Sequence, residues 1–592
     1  MAKLPAGTDV YTRIVGRLPW WLGAPIGLIC AAVGVVLVFH PFGSLGVLIV
    51  LLGAGLIAHG ISELVLAERP ATSLAMGVVW IAAGLLVLLL PGLTIGTLTI
   101  VVGVALIVTG AMNALRAIRG ETDQRAADLM LALASIALGV LALTWRDVTV
   151  FVIAALFGVR LIVFGIDRIV GGVRRARGGG EAAAQEPAPQ PRSTWRRWAR
   201  TGAATVALLA SAALVLFSMQ LSGTPRPDGF YSEPADVPDE PGRLLRSEPF
   251  TRTIPAGATA WRILYTTTLD EGRPAVASAL VVVPDAAADA GRPVIAWSHG
   301  TTGYGTGCAP SLLDEPFVAG AMPDLDEALA SGWAVVATDY PGLGTEGSQP
   351  YLIGQGEGRS VLDAVRSAQQ LTEADVTDET VIWGHSQGGH AALWAGGLAA
   401  EYAPELDIAG VAAMAPASNL PALLDGLSGS AVGSVFGSFA LAAYVAEYPD
   451  VHANDYVRPG ARIMMQSMQQ RCLTDPSSIV SIATAVFSDQ PVWSTSPGDG
   501  PLGARAEQNV PVLPIDAPLL VAQGETDPLV LPSAQAEYVD ARCAAGQRLD
   551  YRTYPGRDHM GVVTGDSPLL GELVDWTAER FAGEPAANTC AP

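Results

Sequence analysis

The 592-residue chain is 50% hydrophobic and only 15% charged, with a mean hydropathy of +0.37; soluble domains carry about 25% charged residues, so a single soluble globule is excluded. The apolar content also excludes intrinsic disorder, and 65 Gly and 42 Pro without a triplet period exclude collagen. Residues 1–221 hold 17 basic and 10 acidic residues, net +7, and residues 222–592 hold 18 and 46, net −28, so no nucleic-acid partner is expected, since phosphate binding needs a strongly basic surface.

Charge-poor apolar stretches recur at 20–39, 43–61, 73–90, 95–115, 129–145 and 148–170, and a seventh at 202–221 lies in a charge-free run between Arg200 and Arg226. Each is close to the roughly 20 residues that cross about 30 Å of hydrocarbon as a helix. Short connectors such as His40-Pro41-Phe42 and Pro91-Gly92-Leu93 turn consecutive helices into hairpins. Glycines repeat in register: Gly34, Gly84 and Gly139 are spaced 50 and 55 apart, and the sets Gly53, Gly103, Gly158 and Gly60, Gly110, Gly165 keep those offsets. Three copies of one two-helix hairpin produce such a pattern, with small residues allowing close backbone approach in lipid.

Orientation follows from the basic residues. Lys3, Arg13 and Arg17 precede the first helix, Arg116, Arg119 and Arg125 follow the fourth, and Arg174, Arg175, Arg177, Arg192, Arg196, Arg197 and Arg200 lie between the sixth and seventh. The positive-inside rule then puts the N-terminus in the cytoplasm and sends the seventh helix outward, leaving everything after Leu221 extracytoplasmic. The connector after the second helix, with Glu63, Glu68 and Arg69, fits this least well. Glu63, Arg160, Asp167 and Arg168 read as interfacial anchors rather than a transport path. The expected layout is a six-helix membrane region over 1–175, a flexible Gly/Ala/Pro-rich cytoplasmic linker over 176–201, an anchor helix over 202–221 and a Pro- and acid-rich stalk over 222–244. This six-helix, three-hairpin region, over residues 15–175, resembles the HdeD-like family of small bacterial membrane proteins.

From residue 245 to 592 the pattern changes. β-Branched apolar runs at 261–267, 276–283, 293–297, 333–338, 380–384, 410–414, 518–523 and 549–554 alternate with helical stretches such as 358–371, 389–401 and 533–544. That alternation predicts an α/β fold with a mostly parallel sheet and its chemistry at the C-terminal strand ends. At the end of the fifth run stands Gly384-His385-Ser386-Gln387-Gly388, between an apolar strand and a helical Ala-Ala-Leu-Trp segment. This is the strand–turn–helix setting of a nucleophile elbow, which makes Ser386 the candidate nucleophile.

Serine needs a base, and the base needs an orienting acid. His40 and His59 fall in membrane helices, His299 and His385 precede the serine, His390 sits on the helix behind it, and His452 lies in a helical insertion; only His559 follows the last strand. His559 is therefore the expected base. Asp527, just past the 518–523 strand, is the expected acid, with Glu525 and Asp558 as competitors. An oxyanion hole needs two N–H donors. Gln387, after the nucleophile, supplies one, and the loop beginning at His299-Gly300 supplies the other, from Thr301 or alternatively Thr302.

His299-Gly-Thr-Thr-Gly303, Cys308-Ala-Pro-Ser311, Asp339-Tyr-Pro-Gly-Leu-Gly344 and GHSQGG together resemble the secretory lipase family of α/β-hydrolases, over residues 245–585. The resemblance implies hydrolysis of carboxylic esters, often of acyl lipids, and a helical cap over 417–512 that either moves to gate an acyl pocket or rigidly shapes it. It also implies a disulfide between Cys308 and Cys472 that ties core to cap, which leaves Cys543 to pair with Cys590. An even cysteine count in the outer half suits an oxidising compartment, and no Cys-x-x-Cys or His-x-x-x-His spacing there suggests a metal; no cofactor is implied. The expected function is a membrane-anchored extracytoplasmic serine esterase or lipase. Two other readings share the sequence: acyl transfer to another alcohol through the same Ser-His-Asp set, and a membrane stress-response or scaffold protein with an accessory hydrolase.

Overall fold

The computed structural model describes residues 20–39, 45–65, 70–89, 91–120, 124–176, 194–221, 224–288, 290–486 and 491–590. The N-terminal tail, the connectors at 40–42 and 68–69 and the linker over 177–193 lie outside the described residues. The chain divides into a helical unit, Met1–Gln220 together with Pro459–Met464 and Val486–Pro491, and a mixed unit of the other residues from Leu221 onward.

In the helical unit, α1 (Trp20–Phe39), α2 (Leu45–Val65), α3 (Pro70–Leu89), α4 (Pro91–Arg119), α5 (Arg125–Thr144), α6 (Arg146–Ala176) and α7 (Thr194–Leu221) follow the apolar stretches. Among the described residues, Thr99–Arg119, Arg125–Thr144 and Trp198–Leu221 are long and apolar enough to cross a membrane by length and composition. Pro91-Gly92-Leu93 opens α4 instead of connecting two helices, because a first helical position needs no N–H partner. Helices α6 and α7 run beyond their apolar stretches into arginine-bearing turns.

The repeated glycines settle which helices touch. A Cβ at Gly34 would lie 2.5 Å from the Gly158 carbonyl oxygen, one at Gly84 2.6 Å from that of Gly53, and one at Gly139 2.8 Å from that of Gly103. The close pairs are therefore α2 with α3, α4 with α5, and α6 with α1. The second helix of each copy packs on the first helix of the next, and the third copy returns to the first. The expected unit, a hairpin within one copy, is thus not the tightly packed pair, since a periodic sequence does not say whether contacts fall within copies or between them. Large apolar side chains such as Ile29, Leu86, Leu156 and Phe217 are exposed on this unit while the glycines are buried. That inversion suits lipid, where close backbone packing replaces the hydrophobic force between helices. Helices α5 and α7 run in the same sense: Arg200 pairs with Asp128 near their starts, and Trp145 Nε1 donates to Ser218 Oγ near their ends.

The mixed unit is built on a nine-stranded sheet in the order β1-β2-β3-β5-β4-β6-β7-β8-β9. The strands are β1 (Leu244–Phe250), β2 (Ala258–Thr268), β3 (Pro274–Pro284), β4 (Arg292–Ser298), β5 (Ala334–Thr338), β6 (Val376–His385), β7 (Asp407–Met414), β8 (Leu519–Gly524) and β9 (Asp550–Tyr554). The β1–β2–β3–β5 pairings are antiparallel, and the rest, from β5–β4 to β8–β9, are parallel. Along β6, Val381 and Trp383 enter one core layer and Ile382 the other. Burial on both faces explains why this strand reads as a continuous apolar run rather than an alternating one.

The structure departs from the sequence pattern at two places here. Strand β1 lies outside the predicted runs because Leu-Leu-Arg-Ser-Glu-Pro-Phe is a polar, proline-bearing edge strand. The segment expected to be a stalk is partly packed: Phe230 and Tyr231 are buried in the core, and Arg246 donates to the Phe230 carbonyl at 2.7 Å. Its Pro-rich composition conceals two aromatic anchors.

Helices α8 (Gly354–Gln369) and α9 (Gln387–Tyr402) cover one sheet face. Between β7 and β8 the chain inserts helices that include α10 (Leu420–Ser428), α11 (Ala431–Glu447) and α12 (Gly500–Gln508), followed beyond β8 by α13 (Pro532–Ala544) and α14 (Pro568–Phe581). Ser430 caps α11 by accepting from the Gly433 N–H at 2.8 Å. Cys308–Cys472 fastens the insertion to the loop after β4, and Cys543–Cys590 ties the C-terminal residues to α13, with Cα separations of 5.2 and 5.4 Å.

Candidate active site

Strand β6 ends at His385 and α9 begins at Gln387, so the chain reverses at Ser386 alone. Its φ of 57° and ψ of −117° lie where L-residues are strained, a local cost of about 1–3 kcal/mol that the surroundings must hold in place. Two glycines make the reversal sterically possible. A Cβ at Gly384 would fall 2.0 Å from the Gly388 carbonyl oxygen, and one at Gly388 would fall 1.8 Å from that of Ser298.

The parallel sheet brings distant loops to this turn. His559, in the loop after β9, has its Nε2 2.8 Å from Ser386 Oγ, while its Nδ1 lies 2.7 Å from Asp527 Oδ2. Asp527 Oδ1 accepts the Leu529 and Val530 N–H groups at 2.8 and 2.9 Å, and Oδ2 accepts from Gln523 Nε2 at 3.1 Å. Burial alone would raise the Asp527 carboxyl, but His559 and those two N–H groups outweigh it and hold the carboxyl below its ordinary range. The competing acids point elsewhere: Glu525 accepts from Thr553 and Asp558 from the Gly561 N–H.

Ser298 pairs with Gly384 across β4 and β6, so the loop after β4 emerges beside the elbow. Gln387 stands at the first position of α9, where backbone N–H groups lack helical acceptors. Thr301 is half-buried, with its hydroxyl 3.0 Å from that of Tyr351. Thr302 is turned into the core: its hydroxyl donates to the Cys308 carbonyl at 2.7 Å and its carbonyl accepts from the Leu473 N–H at 2.8 Å.

Residues 321–589 match the model of the secretory lipase family. The C-terminal part of the chain is a secretory lipase domain. Upstream, residues 26–72, 75–137 and 130–184 match a short repeat of unknown function, DUF308, in keeping with the threefold glycine period. A Mycobacterium tuberculosis protein named "Probable inactive lipase" is 28% identical over 62% of this chain and 84% of its own length. A secreted triacylglycerol lipase of Malassezia globosa is 27% identical over 64% and 87%. The crystal structure of Candida antarctica lipase A in its closed state superposes with a TM-score of 0.52 at 22% identity, over 62% of this chain and 89% of that one, so the fold is that of an α/β-hydrolase. By family, the lipase domain is a carboxylic ester hydrolase.

Three residues of the lipase domain escape assignment from sequence. His385, set aside because it precedes the serine, is buried with its ring 4.8 Å from that of His559, and its Nε2–H donates to the His559 carbonyl at 2.9 Å. Burial, then the adjacent His559, pushes His385 down to about 3, so it stays a neutral support behind His559. Glu357 and His390 are fully buried in contact with one another at 2.9 Å, behind the elbow. Their only sequence signal is charged or titratable residues at positions that helical packing must bury. Among the described residues, no cluster of three or more His, Cys, Asp or Glu side chains could hold a metal ion.

Proposed function

We propose that this protein is a membrane-anchored serine esterase or lipase whose lipase domain hydrolyses acyl esters outside the cytoplasm. The observation that carries the reading is the unbroken chain from Ser386 Oγ through His559 to Asp527, at 2.8 and 2.7 Å. Ser386 Oγ attacks the ester carbonyl and passes its proton to His559 Nε2. Asp527 holds the Nδ1–H and faces the imidazolium that forms. The oxyanion is received by the N–H groups of Gln387 and Thr301, aided by the N-terminus of α9. His559 then protonates the departing alcohol, and water, deprotonated by the same imidazole, releases the acid from Ser386. Acyl lipid esters are the favoured substrates, supported by the triacylglycerol lipase among the relatives.

Anchoring through seven spanning helices is supported by the lipid-suited exposure of the helical unit and by the three apolar helices of membrane-crossing length. The cytoplasmic N-terminus and outward α7 are supported by the arginine distribution and by the parallel course of α5 and α7. The full chain in detergent should hydrolyse p-nitrophenyl esters and bind a fluorophosphonate probe. Ser386→Ala should lose both; equal labelling of the two proteins would defeat the reading, and an acyl-chain-length series would define the substrate.

A further inference from the structure

We propose that Glu357, acting with His390, is a positioning residue that holds both oxyanion-donating segments of the lipase domain; the role rests on the reading of Ser386, Gln387 and Thr301 given above. Glu357 lies on α8 and is fully buried. Gly354 and Gly358 flank it and let α8 lie directly against α9: a Cβ at Gly354 would meet the Trp394 ring at 2.0 Å, and one at Gly358 the Ala395 nitrogen at 2.9 Å. At that contact α9 presents Gln387 and His390, three residues apart and on one helical face.

The carboxylate divides its oxygens between two tasks. Oε1 accepts from Gln387 Nε2 at 2.7 Å and from the Leu352 N–H at 3.0 Å. Oε2 meets His390 Nδ1 at 2.9 Å. Leu352 stands at φ 55°, a conformation that needs such support. The hydroxyl of the neighbouring Tyr351 meets that of Thr301 at 3.0 Å, and the Leu352 carbonyl accepts from the Tyr444 hydroxyl of α11 at 2.8 Å. Glu357 therefore grips the residue after the nucleophile directly, and the loop of the second donor through a single strained turn. The same turn is where the inserted helix α11 touches the oxyanion machinery.

The proton arrangement follows from the acceptors. His390 Nε2 faces the Asn509 carbonyl at 2.8 Å, so that nitrogen must carry a proton. Nδ1 faces a carboxylate oxygen, so a proton must lie there as well, whether formally on imidazole or on carboxyl. Burial, which raises the Glu357 carboxyl, favours retaining it. A glutamine at 357 reproduces the whole pattern without charge: its amide N–H donates to Nδ1, and its carbonyl accepts from Gln387 and Leu352. Alanine reproduces none of it.

The test uses the full chain in detergent, with p-nitrophenyl butyrate as substrate and a trifluoromethyl ketone as inhibitor. Ser386 Oγ adds to that ketone, its proton passes to His559, and the resulting hemiketal oxygen occupies the oxyanion site. Glu357→Ala should lower kcat about 100-fold, the loss that a misplacement near 1 Å produces, with KM changed less than about threefold and ketone affinity reduced in parallel with kcat. Glu357→Gln should recover kcat to within about tenfold of wild type. Glu357→Ala with kcat within about twofold of wild type, an unaltered ketone affinity, or Glu357→Gln as poor as alanine would each overturn the role. If Glu357→Ala loses its near-UV circular dichroism, Gln387→Ala decides: the clamp predicts the same parallel loss of kcat and ketone affinity, and unchanged values refute it. A Ser386→Ala chain as active as wild type would sink the functional reading, whereas an inactive Ser386→Ala beside an unimpaired Glu357→Ala sinks only the positioning role.

Discussion

In the helical unit Gly34 brings α1 against α6 while Leu156 and Phe217 are exposed; in the lipase domain Gly388 brings α9 against β4 while Trp297 and Trp383 are buried. Large apolar side chains change sides between the two units because their placement answers to the surroundings. Glycine is used identically in both, because the approach of two backbones is a steric matter that no solvent alters. A second contrast concerns polar groups. The lipase interior buries Asp527, Glu357, His385 and His390 in hydrogen-bonded chains, several of them beside the elbow.

That contrast can be broken most severely at Asp527. Asp527→Asn should lower kcat by about 10³- to 10⁴-fold, because the amide no longer stabilises the imidazolium and favours the wrong tautomer. Ester hydrolysis by the purified full chain checks this, and a loss below tenfold would reduce the buried chain to packing. Gly388→Ala comes next. Its added carbon would overlap the Ser298 carbonyl, so the domain should lose about 3 kcal/mol or more, read from urea unfolding by tryptophan fluorescence. Wild-type stability would mean that α9 can retreat from β4.

The helical unit offers an internal control. Gly34→Leu should destabilise it by about 2 kcal/mol, whereas Gly55→Leu, where an added Cβ would meet nothing within 4 Å, should stay within about 0.5 kcal/mol. Thermal unfolding in detergent compares the two, and equal effects would refute the pairing of α1 with α6. The smallest effect concerns pH. Burial pushes Asp339 up to about 6 from the ordinary 3.8, despite hydrogen bonds from Ser278 and Ser311. Between these values the folded chain keeps a proton that the unfolded chain has released. The group's contribution to stability is therefore greatest below pH 3.8 and declines as pH rises through 6. Asp363, also pushed up to about 6 by burial, acts in the same direction. Asp339→Asn should flatten the decline by on the order of 1 kcal/mol, seen as a shallower change of Tm between pH 4 and 7; an unchanged slope would place the titration elsewhere.

Much of the candidate site is legible in local sequence, because its chemistry sits at strand ends that announce themselves. Ser386 follows an apolar strand and precedes a helix, Asp527 follows the next-to-last strand, and His559 follows the last. His385 is passed over because it precedes the serine, and chain order says nothing about a residue that supports His559 from behind. Glu357 is invisible for a related reason. It lies 30 positions from Gln387, and only the packing of α8 on α9 makes the two adjacent. The edge strand β1 and the aromatic anchors Phe230 and Tyr231 escape notice because composition averages over the few residues that pack.

The sequence by itself determined the apolar helices, the threefold glycine period, the parallel core strands and the placing of Ser386, Asp527 and His559, in that order, after three strand ends. These properties depend on side-chain pattern and covalent spacing within a few residues. Only the tertiary structure decided that each repeat packs on the next copy, that the expected stalk lies partly on the sheet, and that one buried carboxylate bonds both Gln387 and Leu352. Those outcomes depend on which surfaces meet, and surfaces meet through close packing between residues that covalent order keeps far apart.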